Sequence, residues 1–165
     1  MSIIEGLRKG FEKNRDYGVR LVCDLSVEQM ILQPDGQRTQ AVNHPAWVFS
    51  HLNVYLPIIQ ALVENQTFED PKEHQFGMQS KPEMDGSIYE SKDSLLEAWN
   101  AGHNKVDELL TEATDGIFSQ PVKLERWSTV MPNAGICLPY LMLNHENQHL
   151  GQISAWRRVL GLPSV

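Results

Sequence analysis

Cysteine is scarce in this chain. Two in 165 residues, Cys23 and Cys137, are too few for the disulfide frameworks that staple small secreted domains. Both sit in apolar surroundings and read as small buried side chains suited to a reduced compartment. Basic runs are missing as well: the longest is the pair Arg157-Arg158, and 14 Lys and Arg face 21 Asp and Glu for a net charge of −7. Phosphate backbones repel such a surface, so nucleic acid is not an expected partner. Long apolar runs are also lacking. The longest, Ile136 to Leu143, falls far short of the roughly 20 residues that span a bilayer. No signal peptide is legible either, since Ile3 and Ile4 are followed at once by Glu5, Arg8 and Lys9. Without a secretory route the sequon Asn65-Gln66-Thr67 reads as coincidence. The expected protein is soluble and cytoplasmic, with no membrane partner.

Apolar residues make up 41% of the chain, enough for one domain over residues 1–165 with a full core. Their spacing is helical almost throughout. A first helix is expected over about 2–24, with Ile3, Ile4, Leu7, Phe11, Val19 and Val22 turned inward. Ser26 opens a short helical turn, and Pro34-Asp35-Gly36 breaks the chain. A second helix starts near Asn43 or His44, where Pro45 suits the first turn, and runs to about Glu64 with Pro57 bending it. Residues 65–90, rich in proline, glycine and polar groups, form a long crossover. The third helix covers about 91–113. A fourth begins between Asn133 and Pro139 and continues to Leu160, stopped by Gly161 and Pro163. No strand pair or internal repeat is evident. The expected fold is all-α: a four-helix bundle with a long crossover between helices 2 and 3.

One pentapeptide carries chemistry. His145-Glu146-Asn147-Gln148-His149 spells His-Glu-x-x-His, the zinc-and-base motif of metalloproteases. Those enzymes take a third ligand from beyond the motif, and residues 150–165 contain no Glu, Asp or His. Nor is there a strand to hold an extended peptide. The protease reading fails. A di-iron carboxylate bundle needs two Glu-x-x-His motifs, and only Glu146-x-x-His149 is present.

On a helix, His145, His149 and Gln152 fall on one face. A lone polar residue on such a stripe is usually a hydrogen-bonded core group. Two imidazoles one turn apart instead suit one shared metal ion. The third ligand must then lie upstream, among His44, His51, His74 and His103. His51 shares a face with Trp47, Val54 and Ile58 near mid-helix and is the best placed. His44 reads as a helix cap or a solvent-facing residue, His74 as a surface residue and His103 as half-exposed. Three histidines leave coordination positions open, as catalytic zinc sites do.

The segment Asn43-His44-Pro45-Ala46-Trp47-Val48-Phe49-Ser50-His51-Leu52 resembles the Trp-x-x-x-His-Leu segment of the DinB-like (DinB/YfiT) metalloenzymes. Leu143 to Ile153 is similar to that family's His-x-x-x-His-x-Gly-Gln-Ile segment. Leu25-Ser26-Val27-Glu28-Gln29 followed by Gln33-Pro34 resembles its linker after helix 1. The resemblance implies a four-helix bundle, often a homodimer. It also implies a divalent metal ion held by His51, His145 and His149, zinc or nickel first, with iron or manganese as alternatives. Relatives include thiol-dependent transferases and a maleylpyruvate isomerase, which implies a small-molecule substrate and a low-molecular-weight thiol as partner.

The expected mechanism is Lewis-acid activation of water or a thiol at an open metal position, for transfer or hydrolysis. Glu146 and Gln152 are the candidate catalytic residues. Glu146 could act as a base or orient a ligand, or simply be a solvated glutamate. Gln152 could orient His149 or a substrate, or make an ordinary core hydrogen bond. Trp47 and Trp156 read as packing residues, while Tyr55 and Tyr140 are possible sources of a hydroxyl. Two further classes stay open: a non-catalytic metal-stabilised bundle and a stress-linked protein that binds a small ligand.

Overall fold

Helix α1 spans Ile3–Val22 in the computed structural model, which describes residues 2–34 and 43–165. Ser2 starts it by accepting a hydrogen bond from the Glu5 N–H. Its buried residues Ile4, Leu7, Phe11, Asn14, Gly18 and Leu21 recur every three or four positions, which is one helical stripe. Ile3, expected inward, is 65% exposed because it lies about 100° around the helix from Ile4. Cys23 just beyond is exposed rather than buried, whereas Cys137 is buried and free. A short 3₁₀ turn follows at Gln29–Ile31. The break expected at Asp35-Gly36 lies outside the described residues.

Helix α2, Pro45–Val63, is capped by His44, whose Nδ1 accepts from the Trp47 N–H, and Pro45 occupies the first turn. Pro57 faces solvent and the helix runs on through it. By length and apolarity α2 could cross a bilayer, but it is mostly buried among its neighbours. Ser91 caps α3, Lys92–Glu112, by accepting from the Ser94 N–H. A single turn, α4 (Glu125–Ser128), precedes the last long helix. That helix is built from α5 (Ala134–Pro139), a π-helical segment Tyr140–His145 and α6 (Glu146–Val159). Gly161, at φ +70°, ends it, with the Leu162 N–H returning to the Arg157 carbonyl.

Cross-helix contacts give the directions. Arg8 meets Asp107 and Arg15 meets Asn104, so α1 and α3 are antiparallel. Asn14 reaches Met142 and Leu21 reaches Arg157, so α1 runs parallel to the last helix. His51 faces His145 while Asn43 faces Gln152, so α2 is antiparallel to that helix. Helices α2 and α3 are therefore parallel neighbours. A chain leaving one must travel back along about 28 Å of bundle before starting the next. Residues 64–91 make that journey, which is why the crossover is long. The architecture is the expected all-α bundle, with no strand among the described residues.

The π-helical segment is the departure. It begins directly after Pro139, which has no N–H to donate and whose ring crowds the carbonyl one turn back. Two carbonyls in the widened segment are met by side chains: Asn14 donates to Met142 and Asn147 to Leu143. Such wide turns gather at functional sites, and this one ends at His145.

Candidate metal centre

Three elements bring the three histidines together. His51 lies on α2, His145 closes the π-helical segment and His149 follows one turn into α6. One ring nitrogen from each can be chosen so that all lie within 4.8 Å of one another. Nε2 of His51 and Nε2 of His145 are 3.1 Å apart. Two nitrogens on one tetrahedral zinc at its usual bond lengths would be roughly 3.3 Å apart.

Neighbouring groups set the tautomers. Nδ1 of His51 is 2.7 Å from the Phe76 carbonyl. A carbonyl can only accept, so Nδ1 carries the proton and Nε2 keeps its lone pair. His149 is held in the same way. Its Nδ1 lies 3.0 Å from Oε1 of Gln152, and that oxygen also accepts from Nδ2 of Asn43 at 2.9 Å. The indole of Trp47 stacks on His51 at 4.8 Å, and Tyr55 packs edge-on against His145 at 4.5 Å.

Burial drives every one of these imidazoles toward its neutral form. Desolvation, helped by nearby His149, pushes His51 down to about 4, and desolvation with both neighbouring histidines pushes His145 down to about 3. His149 is lowered by burial too, with Gln152 opposing. Neutral imidazole is the form that ligates metal. His145 makes the fit more specific. Its Nδ1 is buried without a partner among the described residues. If Nδ1 is protonated, two bare Nε2 lone pairs oppose each other at 3.1 Å, an arrangement a shared cation would relieve. The donor set fits a divalent ion.

Other expected residues land elsewhere. Gln152 touches His149, and Asn43 behind it had no role assigned from the sequence. Glu146 points away from the histidines: its Oε1 lies 3.1 Å from Nε2 of His103, without hydrogen-bond alignment, in the core. Burial raises Glu146 well above the carboxylate range and lowers His103 to about 3. Burial therefore favours the uncharged form of each. Glu146 is neither a solvated glutamate nor one of the clustered ligands. His103 is 2% exposed, not half-exposed, and stacks on Phe11 at 3.8 Å. His44 caps α2 and is fully buried, with Nε2 3.0 Å from the Glu83 carbonyl. His74 is exposed, as expected. Sequence reasoning missed Phe76, because it acts through a backbone carbonyl that any residue would provide.

Comparison with known proteins identifies the family and the fold. Residues 11–153 match the family model described as the DinB superfamily. The fold is similar to a solved structure described as a conserved protein from Enterococcus faecalis. The TM-score is 0.75 at 14% identity, covering 98% of this chain and 99% of that one. No functionally curated protein matches the sequence.

Proposed function

The chain belongs to the DinB superfamily, and from that premise we propose that it is a metal-dependent enzyme acting on a small molecule. His51, His145 and His149 hold a divalent ion, zinc or nickel before iron or manganese. The observation that carries this reading is the convergence of three neutral imidazoles from antiparallel helices, with candidate ligand nitrogens within 4.8 Å. Three protein ligands leave a position open. The bound ion would supply Lewis acidity toward water or a low-molecular-weight thiol, for transfer or hydrolysis.

The protein's own share is mostly placement. Phe76 and Gln152 fix two imidazoles in the ligating tautomer, and Trp47 and Tyr55 fill the space around the rings. His149 is the least buried of the three, so substrate approach is assigned to its side. Gln152 is a positioning residue in this scheme. Glu146 has no step.

The test is metal content followed by turnover. After loading with zinc or nickel and gel filtration, the protein should retain about one ion per chain, and His145→Ala should retain none while keeping its helical signal. Small thiols paired with electrophiles should then be consumed by the loaded protein and not by His149→Ala. X-ray absorption showing fewer than two imidazoles on the ion would falsify the assignment. A second reading treats the ion as a structural pin, since His51 and His145 tie α2 to the last helix. Full coordination by protein groups would favour it.

A further inference from the structure

A cavity is bounded by α2, α3 and the crossover. It measures about 820 Å³, within the range of small-molecule sites. None of the three histidines lines it. Its walls are apolar, formed by Val54, Ile58, Phe68, Phe76 and Leu95.

Its charge is one-sided. Glu69, Asp70, Glu73 and Glu90 line it, and no lysine or arginine does. Asp70 is committed to Arg126, and Glu73 to Lys72 at 3.7 Å. Glu69 and Glu90 are exposed and without an ion-pair partner among the described residues. Two neutral groups add unmet capacity. Ser50 is 6% exposed and its Oγ has no hydrogen-bond partner among the described residues. Asn53 donates Nδ2 to the Leu95 carbonyl at 3.0 Å, which fixes its amide, and its Oδ1 has no partner among the described residues either. Buried polar groups left like this are uncommon unless something else satisfies them.

We infer that this groove binds an organic ammonium: a small molecule with an apolar, ring-sized body and a protonated amine. The body lies between Val54, Ile58 and Leu95, and the ammonium sits at the carboxylate rim near Glu69 and Glu90. An anion is repelled by the two carboxylates left without a counter-ion among the described residues, Glu69 and Glu90. A neutral ligand gains the apolar contact but leaves the rim charges unused. The site stands apart from the metal reading. Phe76 lines the groove and also gives its carbonyl to His51.

The experiment is calorimetric titration of the full chain with 2-phenylethylammonium, 2-phenylethanol and phenylacetate at low salt. The ammonium should bind at least about fivefold more tightly than the alcohol, and phenylacetate more weakly than either. Glu69→Gln combined with Glu90→Gln should erase the ammonium's advantage, as both side chains are exposed and the fold should persist. Ala98→Trp, an exposed rim position that the indole would overfill, should abolish binding. His149→Ala should bind the ammonium as the parent does, which separates this site from the metal centre. Equal affinity for ammonium and alcohol overturns the inference. So does unchanged binding in the double glutamine variant, or loss of binding in His149→Ala.

Discussion

The Phe76 carbonyl accepts a 2.7 Å hydrogen bond from Nδ1 of His51, so the crossover governs a ligand carried by α2. Backbone crowding holds the crossover there. A Cβ at Gly77, the next residue, would lie 1.7 Å from the Pro71 carbonyl oxygen. No side-chain rotation relieves a clash with backbone, so a substitution must shift the loop. Gly77→Ala should therefore reduce zinc affinity by about ten- to a hundredfold, the usual effect of losing an orienting partner. Helical content should be unchanged. A chelator-competition titration reads this directly, and parent-like affinity in a folded variant would refute the link.

Gln152 holds His149 and is itself held by Asn43. The two substitutions should rank accordingly. Gln152→Ala removes the acceptor that fixes the His149 tautomer and should weaken zinc binding about tenfold. Asn43→Ala leaves that acceptor in place and should cost less. The reverse order, measured in the same titration, would mean that Gln152 serves packing rather than the ligand.

The parts of this site legible in the sequence are those written in local spacing. Leu95, Trp99, Val106 and Leu110 repeat at helical intervals and mark α3 without outside help. His145, His149 and Gln152 share a face by the same arithmetic, and His51 followed from its apolar neighbours. Contacts between distant segments were not legible. The wide turn before His145 combines Pro139 with an amide contributed by Asn14, 128 residues away from Met142. His103 was expected to be half-exposed because α3 alone does not reveal that Glu146 and Phe11 cover it. Glu146 was read as a base, an orienting carboxylate or a solvated glutamate, and helix α6 alone does not reveal that it is buried beside His103.

Glu146 can be tested directly. Its folded pKa is raised by burial, so the protonated form stabilises the fold fully below the ordinary carboxylate range. That contribution is lost as pH rises through the raised folded value. Glu146→Gln mimics the protonated state. It should bind zinc as the parent does, melt within a few degrees of it in mild acid, and lose less stability as pH rises. If the variant folds and loads metal but turns over at under a hundredth of the parent rate, Glu146 is catalytic after all.

Arg157 ties the last helix to the end of α1. Its side chain is 2% exposed and donates to both carboxylate oxygens of Asp24, to the Leu21 carbonyl and to the Pro163 carbonyl. Lysine cannot reproduce that fork. Arg157→Lys should cost about 2 kcal/mol in urea unfolding at pH 7. The Arg157 hydrogen bonds hold Asp24 below its usual 3.8. The ion-pair contribution is therefore present above about pH 4 and lost as pH falls through the lower folded value. Asp24→Asn should flatten the loss of stability between pH 5 and pH 3. An unchanged acid profile would show that the pair adds little.

Metal removal distinguishes a catalytic ion from a structural one. The bundle has an apolar core spread over all its long helices, from Phe11 and Phe49 to Trp99, Leu141 and Trp156. The ligands touch only one contact within it, between α2 and the last helix. Folding should therefore survive without the ion. With free zinc at about a hundred times Kd, binding adds about 2.7 kcal/mol, which is roughly 5–10 °C in Tm for a chain of this size. Chelation should lower Tm by that amount and leave a single cooperative transition. Disappearance of the transition on chelation would make the ion part of the fold, and the structural reading would replace the enzymatic one.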